Sequence, residues 1–243
     1  MSAPTVAVFR PDDDRLTRAV ETLESLGAEP VPDPMLAIEP TDAAPRTDAD
    51  YVVLTSKTGV ELADRHGWQP GGATVCAIGA ATADSLADHG YAVDVVPDEY
   101  SSRGLVDRLA DEVDGERVEV ARSDHGSPVL LDGLEAAGAY VHETVLYRLV
   151  VPDGAGASVD RAAEGTLDVA LFTSSLTVEN FLAVAAERGV RDEALSGLND
   201  AVVGVIGMPT KETSEDLGID VDVVPEDADF GQLAEVALSA VRD

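Results

Sequence analysis

The 243-residue chain carries 16 Lys and Arg against 47 Asp and Glu, a formal charge of −31, and 45% of its residues are apolar. The charge excludes a nucleic-acid binder, whose affinity needs clustered cations to release counterions from phosphate, and the apolar fraction excludes a disordered polyanion. What remains is a folded, acid-coated chain suited to concentrated salt, where screening relieves self-repulsion, and long enough for two small domains.

In chain order, the apolar run at residues 6–9 ends in Arg10 and is followed by an amphipathic stretch over residues 15–26 and the Leu26-Gly27-Ala28 turn. Next comes Val53-Leu54-Thr55-Ser56, then Val75-Cys76-Ala77-Ile78-Gly79, a helical stretch at residues 82–89, and a Val-rich run ending in Val96-Pro97. Cys76, the single cysteine, excludes an internal disulfide or a paired-cysteine metal site and reads as a buried small apolar residue.

The same order then returns. Val118-Glu119-Val120-Ala121-Arg122 matches Val6-Ala7-Val8-Phe9-Arg10, and Ala137-Gly138-Ala139 matches the first turn. Leu171-Phe172-Thr173-Ser174, Val203-Gly204-Val205-Ile206-Gly207 and Val223-Val224-Pro225 complete the second copy, with a helical stretch over residues 178–188. Short Val/Ile-rich runs without alternation, separated by helices, predict parallel sheets covered on both faces. The expectation is an internal duplication forming two small doubly wound α/β domains.

In such sheets ligands bind beyond the carboxyl ends of the strands, and duplicated domains leave a cleft there. Thr55, Ser56 and Lys57, and Thr173, Ser174 and Ser175, follow strands and precede helices, as do Gly79 with Thr82 and Gly207 with Thr210. Helix starts offer unpaired N–H groups and partial positive charge, so these four loops are candidates for holding an anion; simple capping by Ser and Thr is the competing reading. Arg10 and Arg122 stand at equivalent strand ends, and with Ser123 and Arg148 they are further candidates for meeting carboxylates. Lys57 and Lys211, the two lysines, each lie in a repeated loop.

Ser123-Asp124-His125 is not read as a hydrolase triad, because adjacent residues do not assemble one. The four histidines lack ligand spacing, so no metal is expected. No glycine-rich nucleotide fingerprint is present. The start lacks a secretion signal, and no run reaches the ~18 apolar residues of a membrane span. A cytoplasmic protein with no membrane partner is expected.

The ordered pieces together resemble the uroporphyrinogen-III synthase family over essentially the full length: Phe9-Arg10-Pro11, Leu54-Thr55-Ser56 with Val60, Ile78-Gly79 with Thr82-Ala83, and Val96-Pro97, then Val145-Leu146-Tyr147-Arg148, Phe172-Thr173-Ser174, Ile206-Gly207 with Thr210, and Val224-Pro225. Lys211 and Leu176-Thr177 depart from the family pattern. The resemblance implies two flavodoxin-like domains: a discontinuous one of residues 1–33 and 155–243, an inserted one of residues 47–140, and connector strands at 35–40 and 141–152. It implies a monomer without cofactor that takes hydroxymethylbilane, a linear tetrapyrrole with eight carboxylates, and closes it to uroporphyrinogen III with loss of water and inversion of the last ring. It also implies that Tyr147 assists departure of the hydroxyl; a connector-strand aromatic packed between domains is the structural alternative. A noncatalytic two-lobed protein that binds a small anion is the competing functional class.

Overall fold

The computed structural model describes residues 3–11 and 13–242. In chain order its elements are β1 (Thr5–Phe9), α1 (Asp14–Ser25), β2 (Glu29–Pro32), β3 (Ala37–Pro40), β4 (Tyr51–Leu54), α2 (Lys57–Arg65), β5 (Thr74–Ala77), α3 (Ala80–Asp88), α4 (Ser102–Leu109) and β6 (Arg117–Ser123). They continue with α5 (Pro128–Ala136), β7 (Tyr140–Val150), α6 (Ala157–Ala163), β8 (Val169–Phe172), α7 (Ser175–Glu187), α8 (Arg191–Asp200), β9 (Val202–Val205), α9 (Met208–Asp216) and α10 (Phe230–Arg242).

The chain divides into two compact units, one running up to Ala37 and resuming at Val150, the other spanning Ile38–Leu149. The expected outer bounds of the discontinuous domain, residues 1 and 243, lie outside the described residues.

In the first unit the strands lie in the order β2-β1-β8-β9, each neighbouring pair parallel. Alternate residues of β1 serve opposite faces. Ala7 and Phe9 join Phe172 and Phe181 under α6, α7 and α8, while Val6 and Val8 pack with Leu16, Leu23 and Leu233 under α1 and α10. Burial of both faces explains why these strands read as continuous apolar runs. Helix α1 shows the local logic: Leu16, Ala19 and Leu23 form its buried stripe, Asp13 caps it by accepting from the Arg15 amide, and Gly27 at φ 82° turns the chain out.

In the second unit the order is β3-β7-β6-β4-β5, with β7, β6, β4 and β5 parallel in sequence. Val52 and Leu54 face a core closed by Leu62, Leu86 and Leu146, and Val53, Val118 and Val120 face Leu105, Leu109 and Leu134 on the other side.

The repeated sequence pieces occupy matching places. Order β7-β6-β4-β5 in one sheet corresponds to β2-β1-β8-β9 in the other, although the chain enters each at a different strand. The hydrogen bonds match as well: the Arg117 amide donates to Asp50 at 3.0 Å and the Thr5 amide to Asp168 at 2.7 Å, both through a carboxylate just before a central strand.

Two expectations change. The Val-rich runs before Pro97 and Pro225 shrink to single bridges, Cys76 to Val95 and Gly204 to Val223. The Asp94 and Asp222 carboxylates, each at 2.8 Å, take the Val75 and Val203 amides that a longer ladder would have used. The strand expected as a connector from residue 141 begins at Tyr140 and belongs to the five-stranded sheet, pairing with β6 over most of its length.

Asp33, two per cent exposed, sits at the end of β2 and accepts from the Gly156 amide at 2.9 Å, the Ser158 amide at 2.8 Å and the Ser158 hydroxyl. It ties the first segment of its unit to α6, the helix that begins the returning chain. Asp33→Ala leaves these donors buried and unmet, and is expected to destabilise the unit by about 3 kcal/mol in urea unfolding at molar KCl.

Candidate active site at the carboxyl ends of the strands

In the second unit, β4 ends at Leu54 and the chain turns through Thr55 and Ser56 into α2. Ser56 is the N-cap: its Oγ accepts from the Gly59 amide at 3.0 Å. Tyr147, near the end of β7, donates its hydroxyl to the same Oγ, also at 3.0 Å. The Tyr147 ring is seven per cent exposed and lies among Leu54, Val60, Leu62 and Leu146, whereas Ser56 and Thr55 are half-buried. Gly59 fits closely here: a Cβ would stand 3.2 Å from Ser56 Oγ, a tight contact, and 3.5 Å from Leu146.

Ser56 Oγ therefore accepts two hydrogen bonds, which leaves its own proton to be donated elsewhere. The pair has a phenol in the core and an aliphatic hydroxyl in front of it. Instead of packing between domains, the Tyr147 ring packs in the core of the second unit, and its hydroxyl is held by Ser56.

Other candidates of this unit lie around the same edge. A register shift between Arg122 and Ser123 brings Ser123 opposite Tyr147, and the Asp124 amide donates to the Tyr147 carbonyl at 3.2 Å. Asp124 also accepts from the Leu149 amide and pairs with His125 Nδ1 at 2.9 Å, so the Asp-His part of the rejected triad ties β6 to β7. Gly79 is the N-cap of α3 with no side-chain partner, and Tyr100 lies against it. Lys57 and Arg148 are exposed.

Arg122 is different. Its side chain is six per cent exposed, its Nε donates to Glu143 at 2.6 Å and its Nη1 to the Ser127 carbonyl at 2.6 Å. Its guanidinium is committed to holding the loop after β6 rather than offered to a ligand.

In the first unit, Thr173 Oγ1 donates to the Phe9 carbonyl at 3.1 Å, and Ser174 caps α7. Ser175 Oγ donates to the Pro209 carbonyl at 3.2 Å and accepts from Thr213 at 2.9 Å, which joins α7 to α9. Gly207 caps α9, and a Cβ there would meet nothing closer than Pro209 at 4.0 Å, so the approach to this helix start is open. Thr82 and Thr210, each four per cent exposed, pack beneath their helix starts, and the Thr82 amide donates to the Gly79 carbonyl at 3.1 Å, so neither side chain faces solvent as the sequence reading expected. Lys211 pairs with Glu215 at 3.6 Å.

Arg10 leaves the end of β1 and lies 4.7 Å from the centre of the Phe230 ring at the start of α10. Its Nε is buried without a partner among the described residues. Arg10, Arg15, Arg18 and Asp229 line a hollow of about 380 Å³, and Arg15 pairs with Asp13 at 2.6 Å. Burial, then the neighbouring Arg15, pushes the Arg10 pKa down from the usual guanidinium range. Sequence reasoning found Arg10 and missed Arg15 and Arg18, although their three-residue spacing on α1 was a readable signal. Among the described residues no group of His, Cys, Asp and Glu is placed to hold a metal ion, and no helix is long and apolar enough to cross a membrane.

Comparison with known proteins agrees with this architecture. The family described as "Uroporphyrinogen-III synthase HemD" matches residues 17–235. A chain of Methanothermobacter thermautotrophicus named for uroporphyrinogen-III synthase is 33% identical over 237 residues, covering 91% of this chain and 92% of its own. The crystal structure of a mutant uroporphyrinogen III synthase from Thermus thermophilus superposes with a TM-score of 0.69 at 18% identity, covering 99% of each chain. That of uroporphyrinogen-III synthetase from Helicobacter pylori gives 0.62 at 14% identity, covering 98% of this chain and 99% of its own. The chain belongs to the uroporphyrinogen-III synthase family, the cyclising lyases of tetrapyrrole biosynthesis.

Proposed function

We propose that this chain closes hydroxymethylbilane to uroporphyrinogen III, and that the Tyr147–Ser56 hydroxyl pair supplies the proton on which the leaving hydroxyl departs as water. The observation that carries the reading is the double acceptance at Ser56 Oγ, from the Gly59 amide and from the Tyr147 hydroxyl, which leaves the serine proton to be donated to another partner. As the terminal C–O bond breaks, Ser56 gives its proton to the leaving oxygen and Tyr147 replaces it, leaving the substrate as a cationic azafulvene. The substituted carbon of the last ring attacks, the spiro intermediate fragments and recombines, and the proton finally lost from a ring carbon restores the hydroxyl pair. Binding must hold the crowded carbon nearest the reacting centre, because the linear substrate closes without inversion unaided.

The recognition chemistry suits a polycarboxylate. Helices α2, α3, α4, α5, α7, α9 and α10 all lack an acidic residue in the first turn, in a chain with 47 of them. Acids would otherwise stabilise those positions. How such a helix start takes a carboxylate is illustrated inside the protein by Asp33 on the amides of α6. In the hollow where Arg15 is paired with Asp13, Arg10 and Arg18 add a cationic place for a substrate carboxylate. Backbone amides of α2, α3, α7 and α9, with Thr55, Ser123, Arg148, Thr173 and Ser174, complete the proposed contacts. We further place the protein in the cytoplasm as a monomer.

The test is to incubate freshly made hydroxymethylbilane with the protein in molar KCl and separate the oxidised products. Type III isomer is expected, and type I at the spontaneous rate would overturn the reading. In the same assay Arg10→Gln is expected to raise KM about tenfold while kcat changes less, since a carboxylate contact remote from the reacting carbon contributes to binding in ground and transition states alike.

A further inference from the structure

Only 4% of the residues are aromatic, and those left exposed are Tyr140 and Tyr100. Tyr140 opens β7, at the far end of the sheet from the Tyr147–Ser56 pair. Tyr100 is at the near end. The chain leaves the outer side of β5 at the Cys76–Val95 bridge and enters α4, whose Leu105 and Leu109 pack with Val53 and Val120 of the inner strands. The segment between, residues 96–101, therefore crosses the carboxyl ends of the strands and carries Tyr100 over the start of α3.

The crossing is fixed, and the ring is left out of the core. Ser101 Oγ caps α4 by accepting from the Gly104 amide at 2.9 Å and donates to Glu99 at 2.7 Å, which pins both neighbours of Tyr100. Tyr100 lies flush on Gly79, where a Cβ would stand 3.0 Å from the Tyr100 Cβ and 3.1 Å from its Cγ, yet 65% of the residue is exposed. The other repeat does without it: Ala228 stands at the matching position, and Gly207 meets nothing closer than Pro209 at 4.0 Å. The chain thus keeps an aromatic face at one of two equivalent helix starts, the one beside its hydroxyl pair. Leu54 lies opposite Ala77, and the Ile78 amide donates to the Leu54 carbonyl at 3.1 Å, so the turns leading to Ser56 and to Gly79 begin about one strand spacing, ~5 Å, apart. A pyrrole whose hydroxymethyl oxygen meets Ser56 extends over Gly79.

We propose that the face of Tyr100 covers the terminal pyrrole of the substrate and stabilises the azafulvene cation formed as water leaves. This role rests on the reaction proposed above. When the C–O bond breaks, its electron pair leaves with the oxygen, which takes the Ser56 proton, and the positive charge spreads over the methylene carbon and the ring nitrogen. The quadrupole of an aromatic face attracts that cation more than the neutral pyrrole before it. The contact therefore strengthens towards the transition state and acts on kcat more than on KM.

The test measures type III formation over a range of hydroxymethylbilane concentrations in molar KCl, with the spontaneous reaction subtracted, for Tyr100→Phe, Tyr100→Leu and the protein with Tyr100 replaced by pentafluorophenylalanine. Tyr100→Phe keeps the negative face and is expected within about twofold of the unmodified rate. Tyr100→Leu has no such face and the fluorinated ring reverses it; each is expected to lower kcat about tenfold, the size of a partly desolvated cation–π contact, with KM and the unfolding midpoint nearly unchanged. Equal kcat for the Phe and pentafluorophenylalanine proteins, or a full rate in Tyr100→Leu, would overturn the role and leave Tyr100 as a cover for α3, while type III formation by the unmodified protein still upholds the reaction. Type I alone from the unmodified protein would overturn the reaction and this role together. The two rings have nearly one shape, so their contrast decides should Tyr100→Leu fail to fold.

Discussion

Thermal unfolding is expected to begin at a midpoint on the order of 10 °C higher in molar KCl than in dilute buffer, because several kcal/mol of self-repulsion are relieved and each moves the midpoint of a chain this size by a few degrees. Even if each of the 16 cations were paired with one acid, the formal charge leaves 31 carboxylates facing one another. Screening length falls from ~10 Å at 0.1 M salt to ~3 Å at 1 M, so repulsion between neighbouring surface carboxylates fades across that range. The exposed pairs Arg15–Asp13, Arg46–Asp48 and Arg108–Glu112 weaken with salt as well, but such pairs contribute little. Calorimetry across a KCl series checks this. A flat profile would mean that the acidic surface does not limit stability, and would remove the adaptation to concentrated salt read from composition.

The same charge gives an acid limb. Arg117 holds Asp50 down to about 2, with hydrogen bonds as the main cause, and Arg15 holds Asp13 below the ordinary carboxylate range. Groups with lowered folded-state values contribute fully above their unfolded values and lose that contribution as pH falls through the folded ones. Mild acid in dilute buffer should therefore first relieve repulsion, and stability should fall only as these paired carboxylates become protonated.

The sheets and their repeat were readable because the information is local. Two-faced burial forces runs such as Val52-Val53-Leu54, and the turns before α2 and α7 need a capping hydroxyl wherever they occur. Side-chain commitments were not readable, because they depend on what the chain brings back from afar. Arg10 and Arg122 hold the same strand position, yet Phe230 returns beneath one guanidinium, while Glu143 and the Ser127 carbonyl close on the other. Asp33 lies between Pro32 and Pro34 and reads as a turn residue; its partners are more than 120 residues away in sequence. Glu119 reads as one more acid among 47, and its burial follows from the position it takes between β4 and β7.

Tyr147→Phe is expected to lower kcat by about 100-fold, the lower range for a positioned proton donor, while the unfolding midpoint barely moves. The ring and its packing among Leu54, Val60 and Leu146 are kept, and the loss is one hydroxyl that donates to Ser56. The residual enzyme should still make type III product, since the walls that orient the last ring are unchanged. Ser56→Ala separates the roles within the pair. If the serine hydroxyl delivers the proton and the tyrosine replenishes it, Ser56→Ala falls at least as far as Tyr147→Phe, and the double variant falls little further, because residues acting as a unit are not additive. Ser56→Ala also removes the cap on the Gly59 amide, at a cost of about 1 kcal/mol, so its rate is measured at saturating substrate and molar KCl, well below the midpoint. Tyr147→Ala would open a void in the same core and mix packing with chemistry. Unchanged turnover in Tyr147→Phe, against the spontaneous background, would remove the phenol from the reaction and leave it as a core aromatic. A full rate in Ser56→Ala with a slow Tyr147→Phe would instead show that the phenol reaches the leaving hydroxyl directly, past a serine that merely caps α2.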